Sequence, residues 1–241
     1  MVLTSANVRG HGPVAPPEQM RHLRFDENRQ LPIPWFVRQE PGEPIDFRIA
    51  DANKFVRAIK RRLCWACGRD LSRMQAYLVG PMCEITHVTA EPPMHVACAE
   101  YSVQACPFLS QPKMRRSPRA KPEEATVEGV AIERNPGVVA LLVTKEDVQP
   151  FKSGKGWLLQ IPHAFRREYW CERRQATVDE VWHSTLTGFP ILLAEAKKES
   201  LAAVVELALR LRDYRAQLTH HFGQAPAPRE DEANILQGLN G

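Results

Sequence analysis

Five of the six cysteines fall between Cys64 and Cys106, and only Cys171 lies outside that stretch. The cluster reads LCWACGRDL, then PMCEITHV, then EPPMHVACAEYSVQAC. Cys64-x2-Cys67-Gly68 has the form of a metal knuckle. Two thiolates three residues apart can grip one ion, and the following glycine lets the chain turn while its amides point at the sulfurs. His95-x2-Cys98 stands where a helix should begin, after Pro92 and Pro93. Residues i and i+3 share a helical face, so both side chains reach the same ion. Cys64, Cys67, His95 and Cys98 together form a Cys3His set with no open position, the pattern of a structural zinc site.

A rival set exists in Cys64, Cys67, Cys83 and His87. The segment Met82 to Val88 reads as a strand, however, and four residues of strand separate Cys83 from His87 by roughly 13 Å. The first set is therefore the expected one. Cys83, Cys106 and Cys171 are expected to be packed thiols. The order of knuckle, hairpin and helix resembles the treble-clef zinc fingers over roughly residues 60–107.

With a formal charge of +4 the 241-residue chain tolerates a nucleic-acid partner without demanding one. Its apolar fraction of 44% excludes full disorder. No window approaches the ~18 consecutive apolar residues of a membrane span, so no membrane partner is expected. The first residues lack the apolar core of a signal peptide. A reducing bacterial-type cytoplasm is the expected compartment, where a disulfide framework would not persist.

The remaining pattern predicts an α+β fold in two lobes. Residues 1–20 read as a mobile arm, 21–112 as the zinc lobe, 113–125 as a basic linker, 126–222 as a β-sheet lobe ending in a long helix, and 223–241 as a mobile tail. In the first lobe Ile45 to Ala50 alternates as a strand, and Asp51 is an N-cap for the helix that follows. Phe55, Val56, Ile59 and Leu63 share one face of that helix, while Lys60, Arg61 and Arg62 crowd another. Ala76 to Gly80 and Met82 to Val88 look like strands around a Gly80-Pro81 break. In the second lobe Val138 to Thr144 and Gly156 to Ile161 are strands, with a short third at Tyr169 to Cys171. Thr177 and Glu180 form a capping box. Gly188 and Pro190 are expected to end that helix and begin the last one. The last helix carries an apolar line through Leu193, Ala196, Val204, Leu207, Leu211, Tyr214 and Leu218, interrupted at Ser200. The line suits packing on the sheet. It also suits a coiled-coil seam through which two copies would pair.

The phrases CWACG, GPMC, EPPMHVACA, ACPFL and LPIPWFV, with RQATVDEV and TGFP near the C-terminus, resemble a family of uncharacterised proteins from phages and prophage-like regions. The resemblance implies a bacterial or phage-infected cytoplasm and assigns no activity.

Function is expected to be binding of nucleic acid or of a host macromolecular complex, with no catalytic residues. The basic candidates are Lys60, Arg61 and Arg62 and the linker residues Lys113, Arg115, Arg116, Arg119 and Lys121, each of which also reads as solvated surface. The stretch HAFRREYWCERR interleaves arginines with Phe165, Tyr169 and Trp170, which suits nucleic-acid stacking or a mixed β-surface. The treble-clef resemblance also brings in HNH-type nucleases, which need a metal and a histidine base. Asp70, Glu84, His87 and Glu91 are the candidates, but the Asp-His pair of that signature is missing from Ala76 to Gly80. A protein-only adaptor using the long C-terminal helix is the third alternative.

Overall fold

The computed structural model describes residues 14–110, 135–154 and 156–229, together with residues 232 and 235. The expected basic linker, with Lys113, Arg115, Arg116, Arg119 and Lys121, lies outside the described residues, as does most of the expected N-terminal arm.

The chain runs through β1 (Phe25–Asp26), β2 (Leu31–Pro32), α1 (Ala52–Arg61), β3 (Gln75–Val79), α2 (Pro81–Thr86), β4 (Val88–Thr89), β5 (Met94–His95), α3 (Val96–Ala105) and α4 (Pro107–Ser110). It continues through β6 (Val139–Thr144), β7 (Gln149–Ser153), β8 (Gly156–Gln160), β9 (Arg166–Cys171), β10 (Arg174–Gln175), α5 (Val178–Glu199) and α6 (Leu201–Phe222). The fold is α+β, with small sheets and long terminal helices. Its centre is a five-stranded antiparallel sheet of order β10-β9-β6-β3-β5. A smaller sheet has the order β4-β8-β7.

β6 pairs β3 from Gln75↔Thr144 to Val79↔Ala140, and every residue of both strands is buried. This explains why VALLVT is a continuous apolar run: both faces of the strand are covered. Alternation then sorts the side chains into two cores. Tyr77, Val79, Ala140 and Leu142 face α2, α5 and α6. Ala76, Leu78, Leu141 and Val143 face α3 and the cysteine knuckle. The two expected lobes therefore share one sheet, since β3 from the first is hydrogen-bonded to β6 from the second. What separates the two cores is the thickness of that sheet.

Several local expectations are corrected. Ile45 to Ala50 is irregular, with a turn at Phe47 and Arg48 and only Ala50 bridging Val37. The Asp46 carboxylate accepts from the Arg48 amide at 3.0 Å and its carbonyl from the Ile49 amide at 3.1 Å, so local bonds replace a ladder. The expected strand at Met82 to Val88 begins as α2. Pro81 sits in its first turn, where a missing amide costs nothing, and His87 ends it with φ +56°. β3 instead finds its local antiparallel partner in β5.

Gly188 and Pro190 do not end α5. Pro190 lies inside the helix with its ring exposed, so the helix continues past it although it has no amide to give the preceding turn. The break falls at Ser200, whose extended backbone and side chain cap α6 by accepting from the Ala203 amide at 3.1 Å. The apolar line from Leu193 to Leu218 is buried inside the chain, so it is not a free seam for a second copy.

Both expected mobile ends are partly docked. Met20 is buried in the knuckle-side core. At the other end the Ala227 amide donates to Asp179 at 2.8 Å, Glu232 pairs with Arg215, and Ile235 is buried among α5 and α6 residues.

Candidate metal centre

The knuckle is a tight hairpin. Leu63 bridges Asp70, the Cys64 amide donates to the Arg69 carbonyl at 2.8 Å, and the Gly68 amide donates to the Cys64 carbonyl at 2.7 Å. Gly68 has φ +74°, a region most side chains avoid. A Cβ there would also lie 2.5 Å from ring carbons of Trp35, so glycine is required twice over. Trp35 is held in place by its own amide, which donates to the Ala66 carbonyl at 2.7 Å. Trp65, inside the knuckle, stacks on Phe36 at 5.1 Å and meets Trp35 and Phe55 edge-on. An aromatic layer thus seals one side of the turn.

The second pair of ligands comes from the β5–α3 junction. His95 is the last residue of β5 and the N-cap of α3, and Cys98 follows in the first helical turn. β5 is fixed against β3 by the Gln75↔His95 pairing. The Trp65 amide donates to the Pro93 carbonyl at 3.0 Å and ties the knuckle to the same segment.

One ligand atom from each of Cys64, Cys67, His95 and Cys98 lies within 4.8 Å of every other, and all four residues are buried. His95 Nδ1 stands 3.4 Å from Cys67 Sγ and 3.9 Å from Cys98 Sγ. A tetrahedral ion with bonds of about 2.0–2.3 Å places its ligand atoms about 3.5–3.8 Å apart. The two histidine–sulfur distances lie close to that spacing, so the group can close on a tetrahedral metal. His95 Nε2 is 2.9 Å from the Asp70 carbonyl, to which it donates. That bond puts the proton on Nε2 and turns the Nδ1 lone pair toward the sulfurs. The backbone amide of His95 donates to Cys64 Sγ at 3.3 Å.

The electrostatics point the same way. The Cys67 thiol is drawn far below the usual thiol range by hydrogen bonding with Cys64 and Cys98. Cys98 is pushed far above that range by the sulfurs of Cys64 and Cys67. His95 is raised to about 10 by the Cys64 and Cys67 sulfurs. Clustered sulfurs cannot all ionise beside one another unaided, and a divalent cation is the group that lets them. The four residues can hold one metal ion.

The rival set is not assembled. Cys83 and His87 sit on α2 and at its C-terminal end, and Cys83 packs against the core on the opposite face of the sheet from the knuckle. The strand that was to separate these two residues is a helix, so the rival fails through its place in the fold, not through extended spacing. Cys171 is buried and Cys106 half-buried, both outside the metal group.

The nuclease candidates do not converge. Among the described residues the only group of three or more His, Cys, Asp or Glu ligands is the Cys3His group. Glu84 is enclosed: its Oε1 accepts from the Tyr169 hydroxyl at 2.9 Å and from Gln217 Nε2 at 3.0 Å, and its Oε2 accepts from the Tyr214 hydroxyl at 3.0 Å. Arg167 Nε adds an ion pair at 3.5 Å. Asp70 contributes its carbonyl to His95. Burial holds the His87 imidazole below its ordinary pKa, with Arg210 and Arg167 adding to the effect.

Of the basic candidates on α1, Lys60 and Arg61 are exposed. Arg62 ends the helix with φ +51° and pairs with Asp147 at 2.6 Å. Arg57, another of the basic residues of α1, places its guanidinium 5.6 Å from the Trp35 ring centroid. Asp70 and Glu84 were read only as nuclease candidates, and Trp35 was not read as a support of the knuckle. Asp70 acts through its backbone, and a carbonyl carries no sequence signal.

No protein-family model, curated protein or solved structure matches this chain. Among the described residues no helix is long and apolar enough to cross a membrane.

Proposed function

We propose that this chain is a zinc-stabilised, non-catalytic binding protein whose partner is nucleic acid. The observation that carries the reading is the closed Cys3His group, buried and complete, which leaves no coordination position for a substrate. Three sulfurs and one imidazole in tetrahedral spacing suit zinc above harder ions. The order of knuckle, strand pair and ligand-bearing helix supports a treble-clef assignment. The exposed Arg57, Lys60 and Arg61, beside the aromatic layer of the knuckle, support a polyanionic partner. The resemblance noted in the sequence supports a phage or prophage accessory protein in a bacterial cytoplasm. The test is a pair of measurements on the purified full chain. Elemental analysis should give about one zinc per chain. Binding to nucleic acid should weaken steeply with salt and further on replacing Lys60 and Arg61 by alanine. Zinc-free folded protein, or no binding at low salt, would reject the corresponding half of the reading.

A second reading is a protein-only adaptor. One observation favours it: Leu201, Val205 and Leu209 form an exposed apolar row on α6, with Leu201 77% exposed. Light scattering of the full chain tests pairing through that row. A monomer at all concentrations would count against its use in self-association.

A further inference from the structure

Exposed aromatic rings are scarce on the described surface, and they are not spread evenly. Of the four, Phe25, Phe151, Trp157 and Phe165, three fall within residues 151–165. The same part of the chain is basic. From residue 148 to 167 there are Lys152, Lys155, Arg166 and Arg167 and no Asp or Glu. Arg166 and Arg167 are engaged with Glu100 and Glu84. Lys152 instead lies over the Trp157 ring, 5.8 Å from its centroid, and Lys145 lies over Phe165 at 5.1 Å. Neither lysine forms an ion pair with a described carboxylate.

The Trp157 pair is built into a stiff element. β7 and β8 pair from Gln149↔Gln160 to Ser153↔Gly156, closing with only two residues, and Gly154 supplies a φ of +56°. Lys152↔Trp157 is a direct cross-strand pair, so both side chains share one face. Leu159, two residues on and therefore on that same face, is fully buried. The face thus begins in the core at Leu159 and emerges into solvent at Trp157, which is 45% exposed. The hairpin is anchored at its root, while β7 is exposed along nearly its whole length. The second pair, Lys145 and Phe165, brackets the same excursion of the chain between β6 and β9.

A flat, open ring beside an uncommitted ammonium matches a ligand that offers flat rings and negative charge at one-nucleotide spacing. We propose that the β7–β8 hairpin is a single-stranded nucleic-acid contact, with Trp157 stacking on a base and Lys152 meeting the adjacent phosphate; this rests on the nucleic-acid reading above. Duplex bases already stack on one another, so only unpaired bases offer a free face to Trp157. Sequence preference is weak, because every base has such a face.

The test uses fluorescence anisotropy of the full zinc-loaded chain with thymidine and uridine homopolymers of about 20 nucleotides, longer than the roughly 4–16 nucleotides of comparable sites, and with a blunt DNA duplex. The single strands should bind more tightly than the duplex at equal salt. Trp157→Ala should weaken single-strand binding by roughly 5- to 150-fold, and Trp157→Phe should recover part of the loss. Lys152→Ala should flatten the slope of log affinity against log salt by about 0.7. Trp157 is solvent-facing, so an unchanged melting temperature will show that the variant folds. Single-strand binding that survives Trp157→Ala, or a duplex held as tightly as the single strand, overturns this assignment and leaves the broader nucleic-acid reading standing. A wild-type chain that holds none of the three probes overturns both.

Discussion

The Tyr214 hydroxyl donates to Glu84 Oε2 at 3.0 Å across 130 residues of sequence. With Tyr169 and Gln217 on Oε1, this bond clamps α2 between β9 and α6. A buried carboxylate is tolerated only when its lone pairs are used, and here they are. Tyr214→Phe or Glu84→Gln should therefore lower the unfolding free energy by about 1–3 kcal/mol, measured by urea titration.

The same group gives a pH signature. Burial raises the Glu84 pKa above its ordinary value, against the lowering effect of its hydrogen bonds. A raised folded-state pKa means that the stabilisation is fully present below the unfolded value and fades as pH rises through the folded one. The stability gap between wild type and Glu84→Gln should narrow from about pH 4.5 upward. A gap that widened over that range would contradict this account.

On the proposed zinc reading, loss of the metal should loosen the knuckle-side core. Cys64→Ser and Cys98→Ser should each bring zinc well below one per chain and lower the melting temperature. Cys83→Ser, Cys106→Ser and Cys171→Ser should retain the metal, because none of these thiols reaches the cluster. Elemental analysis with thermal melting distinguishes the two groups of variants.

Gly68→Ala should be costly for two separable reasons. The left-handed backbone at φ +74° penalises alanine by roughly 1–2 kcal/mol, and its Cβ strikes Trp35. The loss should exceed the backbone cost alone. The double variant with Trp35→Ala should show a coupling in a double-mutant cycle.

The C-terminal tail should contribute to stability. Ile235 is buried in the core formed with α5 and α6. Ile235→Ala should cost about 2 kcal/mol or more, whereas a solvated tail would show no change in the urea midpoint.

Much of the candidate metal centre was legible because its signals are local. The two-residue gaps of Cys64-x2-Cys67 and His95-x2-Cys98 are set by one turn of chain, and the structure brings these residues together. The Thr177–Glu180 capping box was legible for the same reason: Thr177 accepts from the Glu180 amide at 3.3 Å and the Glu180 carboxylate takes the Thr177 amide at 2.8 Å. The apolar line from Leu193 to Leu218 was read correctly as buried on one side, although Ser200 and not Pro190 divides the helices.

Sequence by itself determined which residues can cap, turn or grip an ion, since each depends on neighbours within about one turn. Tertiary structure alone decided that β3 and β6 are partners, so that the two expected lobes share one sheet. It alone turned Met82 to Thr86 into a helix and enclosed Glu84 beneath Tyr169 and Tyr214. Those outcomes depend on surfaces brought together over scores of residues, where burial overrides local preference.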